Sequence, residues 1–267
     1  MKRYERILYL QEGIKFFDTT YDAYAELVKK KSEFALSPAS HPYQPPMEIL
    51  TYFEIACLKH VEIPVDKTLE DVAFFLRRGV AESIEFFWRV DNGMNAYIRK
   101  QEPGEWGWAF KYPLSLMCAL WIADEHSLIR IAQWADETVL YCPDAGVSKM
   151  DTLFYIILSR FICTYTLEDN RHLIEVIRSN RAQRPKLLID ILEAIDKSDD
   201  IALKKAVEKY MNHYLKKELD LNTIEGSISL YTSLLWETAR RNGITLPLLS
   251  DDIMDRIVTR ESIGLAP

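Results

Sequence analysis

The sequence predicts an all-α protein. Only 9 of its 267 residues are glycine whereas 48% are apolar, a composition that favours helices over sandwiches, barrels and phosphate-binding loops. Apolar residues also recur at steps of three and four along most of the chain, which is the spacing of one helix face. We therefore expect about 11–12 helices, stacked as antiparallel pairs in a single compact domain of helical-repeat-like architecture. No fixed repeat period is present, and no segment predicts a strand.

The first part of the chain divides at a proline-rich loop. Residues 1–46 predict a pair of helices followed by this loop, which holds four prolines between residues 37 and 46. Residues 47–267 predict the main helical domain, which we expect to continue the same fold. Within it, helices are expected at residues 47–60 and, after a capping box at residues 68–71, through Arg89.

The centre of the chain, residues 105–137, predicts a helical hairpin. Pro113 suits the first position of a helix, because its missing N–H has no partner there. The polar break at residues 124–126 places negative charge at the positive end of the second helix. The hairpin is expected in the middle of the core because it carries three tryptophans, Trp108, Trp121 and Trp134.

The remaining helices are expected at residues 150–164, 167–179, 184–196, 199–218 and 228–241. Ser227 is the expected N-cap of the last of these, and Gly243 is the expected terminator. Ser250 is expected to cap one further short helix.

The chain length and the net charge limit the kinds of function that the sequence allows. A chain of this length buries enough apolar surface to fold without a metal or a disulfide. The net charge is −7, and residues 61–150 contribute −5 of it, with 9 basic and 14 acidic side chains. Such an acidic surface repels nucleic acid and attracts basic partners.

The compartment is predicted from what the sequence does not contain. Its four cysteines include no C-x-x-C pair, which predicts buried thiols in a reducing compartment. The apolar stretch after the basic start is too short for a signal peptide, and the longest apolar run is shorter than a membrane span. We therefore expect a cytoplasmic protein with no membrane partner and no nucleic-acid partner.

One motif could carry enzymatic chemistry. Asp251, Asp252 and Asp255 form a D-D-x-x-D run, whose spacing can place carboxylates on one helix face to bind a diphosphate through magnesium, as in isoprenoid synthases. Only twelve residues follow Asp255, whereas those enzymes continue with a long helical bundle. A helix N-terminus also favours aspartates after a serine cap. A structural role is the main expectation, and a magnesium-dependent enzyme is the alternative.

No other pattern predicts a catalytic, cofactor or metal site. The five histidines do not form H-x-x-x-H and do not stand beside a cysteine at ligand spacing. The basic cluster Arg178, Arg181, Arg184 and Lys186 predicts a solvated helix end, because it lacks the interleaved aromatic residues of a nucleic-acid groove.

A loop before the hairpin is a candidate for partner binding. Trp106 is an aromatic residue of the kind that dominates binding hot spots, and Glu102 and Glu105 beside it would steer a basic partner. Asp124 and Glu125 add negative charge at the turn of the hairpin.

Three stretches resemble the immunity proteins of bacterial polymorphic toxin systems, in particular the immunity protein 49 family. They are the helical pair at residues 114–135, which includes ALWIADEHSLIRIAQWA, the D-D-x-x-L-x-x-A-V stretch at residues 199–207, and residues 229–241 followed by NGITLPLLSDDI. The resemblance implies an all-α, acidic, cytoplasmic protein that binds one cognate toxin and blocks its active site. It implies no catalytic residues.

The resulting hypothesis is a stoichiometric toxin inhibitor with no enzymatic activity, and the sequence also allows a homodimer. Its candidate contacts with a basic toxin domain are Glu102, Glu105, Trp106, Asp124 and Glu125. The alternatives are the magnesium-dependent isoprenoid-synthase-like enzyme and a helical-repeat adaptor that binds peptides.

Overall fold

All the regular structure that the computed structural model describes is helical, and the all-α prediction is confirmed. The described residues are residue 3 and residues 48–62, 70–89, 108–135, 148–219 and 224–266. The α-helices in chain order are α1 (Glu48–His60), α2 (Val72–Arg89), α3 (Trp108–Ile122), α4 (Glu125–Gln133), α5 (Lys149–Thr164), α6 (Arg171–Ser179), α7 (Gln183–Asp196), α8 (Asp200–Lys217), α9 (Ile224–Ser227), α10 (Leu230–Arg241) and α11 (Asp251–Met254). The predicted N-terminal helical pair and proline-rich loop, residues 1–46, lie outside the described residues apart from Arg3.

The first three helices pack closely because small side chains lie where they cross. Gly79 of α2 faces α1, and a Cβ atom there would stand 2.7 Å from Tyr52 Cδ2 and 2.9 Å from Ile49 Cδ1. Between α3 and α2, Ser115 Oγ donates to Ser83 Oγ at 2.9 Å, and Ser83 Oγ donates to the Gly79 carbonyl oxygen at 2.7 Å. The α2 backbone therefore lies close to α1, and the buried hydroxyls have hydrogen-bond partners.

Helices α3 and α4 form the predicted hairpin and lie in the core. Trp121 is fully buried and stacks on Phe53 of α1 with ring centroids 5.6 Å apart, and Trp134 is also buried. The predicted start of the first helix is wrong, because α3 begins at Trp108 and Pro113 lies inside it. Proline's fixed φ is compatible with a helix, so α3 continues through Pro113 with the loss of one backbone donor.

Side-chain caps set the starts of the later helices. Ser148, Asp199 and Ser229 each accept a hydrogen bond from the backbone N–H three residues further on, as N-caps do. Ser229 caps α10 instead of the predicted Ser227, because Ser227 belongs to the four-residue helix α9. Gly243 follows α10 with a φ of 71°, which confirms the predicted end of that helix.

The end of the chain returns along α10 as residues 255–263, which we call the C-terminal strap; it is irregular up to residue 260 and ends in one turn of 3-10 helix, Glu261–Ile263. The Ser229 N–H donates to the Arg256 carbonyl oxygen at 2.9 Å, and the Val258 N–H donates to Ser233 Oγ at 2.9 Å. The strap therefore follows α10 from its N-terminal end, and its apolar side chains are buried in the core.

A buried histidine joins the strap to α1. His60 Nε2 lies 2.9 Å from the carbonyl oxygen of Asp255, and His60 Nδ1 lies 2.7 Å from Ser262 Oγ. Because a carbonyl oxygen only accepts, Nε2 carries the proton. Burial, followed by the nearby Arg3 guanidinium, lowers the pKa of His60 to about 3, so the side chain is neutral at physiological pH. It is a structural link between the two halves of the chain.

The thiols are mostly buried, as expected. Cys57 and Cys118 are fully buried and Cys163 is half-buried. Cys142 lies outside the described residues.

Candidate functional site

The five predicted contact residues divide into two groups. Glu102, Glu105 and Trp106 lie outside the described residues. Asp124 and Glu125 lie at the turn between α3 and α4, and both are exposed.

Asp124 is the N-cap of α4. Its carboxylate accepts hydrogen bonds from Ser127 Oγ at 2.7 Å and from the Ser127 N–H at 3.2 Å. The side-chain hydrogen bond from Ser127 lowers the pKa of Asp124 below its ordinary value, because it favours the charged form. Asp124 is therefore a fixed negative charge at the surface of the hairpin.

Glu125 is exposed, but a long-range ion pair holds it in place. Arg241 Nε donates to Glu125 Oε2 at 2.9 Å, and Arg241 Nη2 donates to Glu125 Oε1 at 2.5 Å. This two-point contact gives the carboxylate one orientation. The hydrogen bond from Arg241 also lowers the pKa of Glu125, so Glu125 remains ionised.

Tyr165 completes this arrangement at the C-terminal end of α5. It adopts the left-handed conformation with a φ of 60°, and its hydroxyl accepts from Arg241 Nη2 at 2.7 Å and donates to Glu125 Oε1 at 3.2 Å. The Arg241 guanidinium carbon lies 4.4 Å from the centre of the Tyr165 ring, within cation–π range. We call Glu125, Tyr165 and Arg241 the Glu125 cluster.

The Glu125 cluster joins the start of α4, the end of α5 and the end of α10 at the protein surface. Glu125 retains 56% of its side-chain exposure and Tyr165 retains 50%, whereas Arg241 is largely buried and also donates to the Ile162 carbonyl oxygen at 2.9 Å. Tyrosine and arginine are enriched at the centres of protein interfaces. Chemically, the cluster offers a rigid carboxylate and a rigid aromatic ring to a partner.

Glu125 was predicted from the sequence, whereas its two partners were not. Tyr165 is 40 residues away and Arg241 is 116 residues away, and neither belongs to a local motif. The basic last turn of α10 is the only sequence signal that bears on Arg241, and it predicts an interaction with the helix dipole instead.

A second cluster of the same residue types lies deeper in the protein. Arg184 donates to Asp151 from Nη2 at 2.5 Å and from Nε at 3.1 Å, and its guanidinium carbon lies 5.3 Å from the centre of the Tyr231 ring. The Asp151 side chain is only 2% exposed. We call these three residues the Asp151 cluster.

The Asp151 cluster corrects part of the predicted basic helix end. Arg184 was expected in solvent but is half-buried and paired with Asp151. Arg178, from the same predicted group, donates to Asp190 at 2.5 Å. Each carboxylate lies on a different helix from its arginine, so the spacing of residues within one helix could not indicate these pairs.

The groups around the Asp151 cluster also find partners inside the protein. Tyr155 donates its hydroxyl to the Tyr231 hydroxyl at 2.9 Å. Glu218 lies 3.8 Å from Arg184 Nη1 and 3.3 Å from His213 Nε2, and burial raises its pKa. Because these groups pair with one another inside the protein, we expect the Asp151 cluster to stabilise the fold and not to bind a ligand.

The D-D-x-x-D residues do not converge on one point. Asp255 is buried and forms an ion pair with Arg3 at 3.1 Å, whereas Asp251 and Asp252 are exposed in the first turn of α11. Within the described ranges, no group of three histidine, cysteine, aspartate or glutamate side chains could hold a metal ion. The magnesium-dependent alternative gains no support from this geometry. Among the same residues, no helix is long and apolar enough to cross a membrane.

Comparison with known proteins gives no family assignment. No protein-family model matches the chain, and no curated protein or solved structure matches it.

Proposed function

We propose that this protein is an immunity-type inhibitor, which binds one basic toxin domain in the cytoplasm and blocks its active site without catalysing a reaction. The observation that carries the proposal is the Glu125 cluster. Its carboxylate and its tyrosine ring are exposed, yet Arg241 fixes both of them before any partner binds.

This rigidity favours tight binding. A partner that contacts flexible side chains loses about 0.5–1.5 kcal/mol for each one that it immobilises. In the Glu125 cluster, the hydrogen bonds and the ring contact have already imposed most of that order. Asp124, held by Ser127, supplies a second fixed charge one residue away.

Charge supports a basic partner. The chain carries a net charge of −7, and the pKa values of Asp124 and Glu125 are both lowered. Charges of this kind accelerate the encounter with a basic surface and reject acidic ones. Arginine-based recognition, which a peptide-binding adaptor would use, has less support because Arg178, Arg184 and Arg241 are engaged in internal ion pairs.

The test is binding and rescue with the toxic C-terminal domain of a secreted protein encoded by the neighbouring gene. Co-expression of this chain should restore growth to cells that produce the domain, and calorimetry should show an equimolar complex whose affinity falls with salt. Tyr165→Ala and Glu125→Gln should weaken binding at least tenfold.

Matched control variants come from the exposed side of α6, where Val176 and Glu175 are also exposed. Val176→Ala and Glu175→Gln should leave binding unchanged. A toxic domain that the wild-type chain neither binds nor neutralises would exclude the proposed function.

A further inference from the structure

An apolar side chain projects from the segment between α10 and α11. Leu248 is 89% exposed, more than any other large hydrophobic residue among those described. Its neighbours Leu246 and Leu249 are half-buried and pack against the core. The segment therefore turns two leucines inward and holds the one between them in solvent.

Both ends of this segment are fixed. The Ile244 N–H donates to the Ala239 carbonyl oxygen at 3.1 Å, and the Ile253 N–H donates to the Ser250 carbonyl oxygen at 3.1 Å. Pro247 further restricts the backbone beside Leu248, because its ring fixes φ. An exposed leucine on a restrained backbone offers a partner apolar surface at a low entropic cost.

Negative charge lies next to this leucine. Asp251 and Asp252 are exposed in the first turn of α11, three and four residues after Leu248. A surface that accepted the leucine would meet these two carboxylates at its edge. The chemistry that fits is an apolar pocket with a basic rim.

The leucine lies within reach of the Glu125 cluster. Leu248 is seven residues after Arg241, and a fully extended chain spans at most about 3.6 Å per residue, so their Cα atoms are at most about 25 Å apart. A standard interface buries about 800 Å² on each partner, a patch roughly 30 Å across. The two features are therefore no further apart than the width of one such patch.

We propose that Leu248 is the apolar anchor of the toxin-binding interface, inserted into a leucine-sized pocket on the toxin domain whose basic rim faces Asp251 and Asp252. This inference rests on the proposed function and adds to it the chemistry of the partner's surface. The Glu125 cluster and Asp124 form one part of the interface, and the leucine forms another.

The experiment measures association and dissociation rates of the same neighbouring-gene toxic domain with purified variants of the full chain. Leu248→Ala should bind at least 30-fold more weakly, mainly through faster dissociation, as expected for a hot-spot anchor. The double variant Asp251→Asn and Asp252→Asn should associate more slowly, with a shallower salt dependence. Ile201→Ala is the control, because Ile201 is 65% exposed on α8, and it should bind within twofold of wild type.

Three outcomes would overturn the inference. If wild type binds and Leu248→Ala binds within twofold of it, Leu248 is not the anchor, and the proposed function stands. If wild type does not bind, the proposed function fails and the anchor fails with it. If Leu248→Ala leaves toxin binding unchanged but lowers the mass that sedimentation gives for the chain without toxin, the leucine contacts a second copy of this chain instead. Thermal melting of each variant checks folding, which an exposed leucine should not affect.

Discussion

The Asp151 cluster and the Glu125 cluster are built from the same three side-chain types and differ in burial. In each, an arginine contacts a carboxylate at two points and lies over a tyrosine ring, at 5.3 Å in the Asp151 cluster and 4.4 Å in the Glu125 cluster. The carboxylate is 2% exposed in the first and 56% exposed in the second. The chemistry is shared, so the differences in behaviour should follow from access to water.

Burial changes what such a cluster contributes. A buried ion pair has lost its hydration, so removing one member leaves a charge without water or partner. At the surface, water replaces a lost partner and salt weakens the attraction, so the pair adds little to stability. The buried cluster should therefore serve the fold, whereas the exposed cluster remains available for binding.

The largest expected effect follows from removing the arginine of the buried cluster. Arg184→Ala leaves Asp151 buried without a cation, and we expect a loss of about 3–5 kcal/mol in the free energy of unfolding. Urea denaturation measures it. Arg181→Ala, at an exposed position on the same stretch, is the control and should change stability by less than about 0.5 kcal/mol. Equal losses in the two variants would contradict the role given to burial.

Glu237 is a second buried carboxylate, and its contact with an arginine is weaker than that of Asp151. Glu237 accepts from the Arg260 N–H at 3.1 Å and lies 3.5 Å from Arg240, and burial raises its pKa from 4.5 to about 7. The folded protein therefore binds more protons than the unfolded chain between about pH 4.5 and 7, so this residue makes stability fall as pH rises through that window.

Glu237→Gln should remove this part of the pH dependence. The wild type should lose up to about 3 kcal/mol between pH 5 and pH 8 through this group, and the variant should lose much less. Denaturation midpoints across that range measure the difference. His60 acts in the opposite direction, because its pKa falls from 6.5 to about 3 on folding and stability therefore rises with pH up to about 6.5. This contribution is the same in wild type and variant, so it cancels in the difference between their pH profiles. Parallel pH profiles for the two proteins would refute the assignment.

An apolar contact gives a reference for these polar effects. Gly79→Ala places a methyl group 2.7 Å from the buried Tyr52 ring, and overpacking of this kind costs about 1–3 kcal/mol. Thermal unfolding should show a lower midpoint. The control is Ala81→Ser, because Ala81 is exposed on the same helix. It should change the midpoint of thermal unfolding only slightly. An unchanged midpoint in Gly79→Ala would mean that α1 and α2 can separate freely.

The smallest effect on stability is expected from the exposed cluster. Arg241→Ala should cost about 1 kcal/mol, and 1 M NaCl should reduce the difference from wild type because the screening length is then about 3 Å. Urea denaturation at low and high salt measures both. A loss as large as that of Arg184→Ala would show that exposure does not separate the two clusters.

The sequence predicted the helices because their signals are local. The spacing of apolar residues located α5, α7, α8 and α10 to within about two residues, and Asp124 was correctly placed at the start of α4. The errors also have local causes. Pro113 has the residue type favoured at a helix start, but α3 begins five residues before it and tolerates the lost backbone hydrogen bond. Ser227 and Ser229 are both acceptable caps for the same helix.

The candidate site could be predicted only in part, because its geometry is made by contacts between distant residues. Glu125 was selected for its charge, but nothing near it in the sequence indicates Arg241 or Tyr165. Leu248 shows the same limit, since a leucine beside proline predicts an irregular segment and does not indicate which side of it faces solvent.

The return of the C-terminal strap along α10 has a consequence for synthesis of the chain on the ribosome. Trp121 donates to the Val258 carbonyl oxygen, 137 residues later, and His60 contacts Asp255 across 195 residues. The tryptophan and the histidine therefore emerge long before their partners, and translation proceeds at about 5–20 residues per second. For several seconds the early helices therefore leave part of their apolar surface exposed to solvent, and nascent-chain chaperones have that interval in which to cover it.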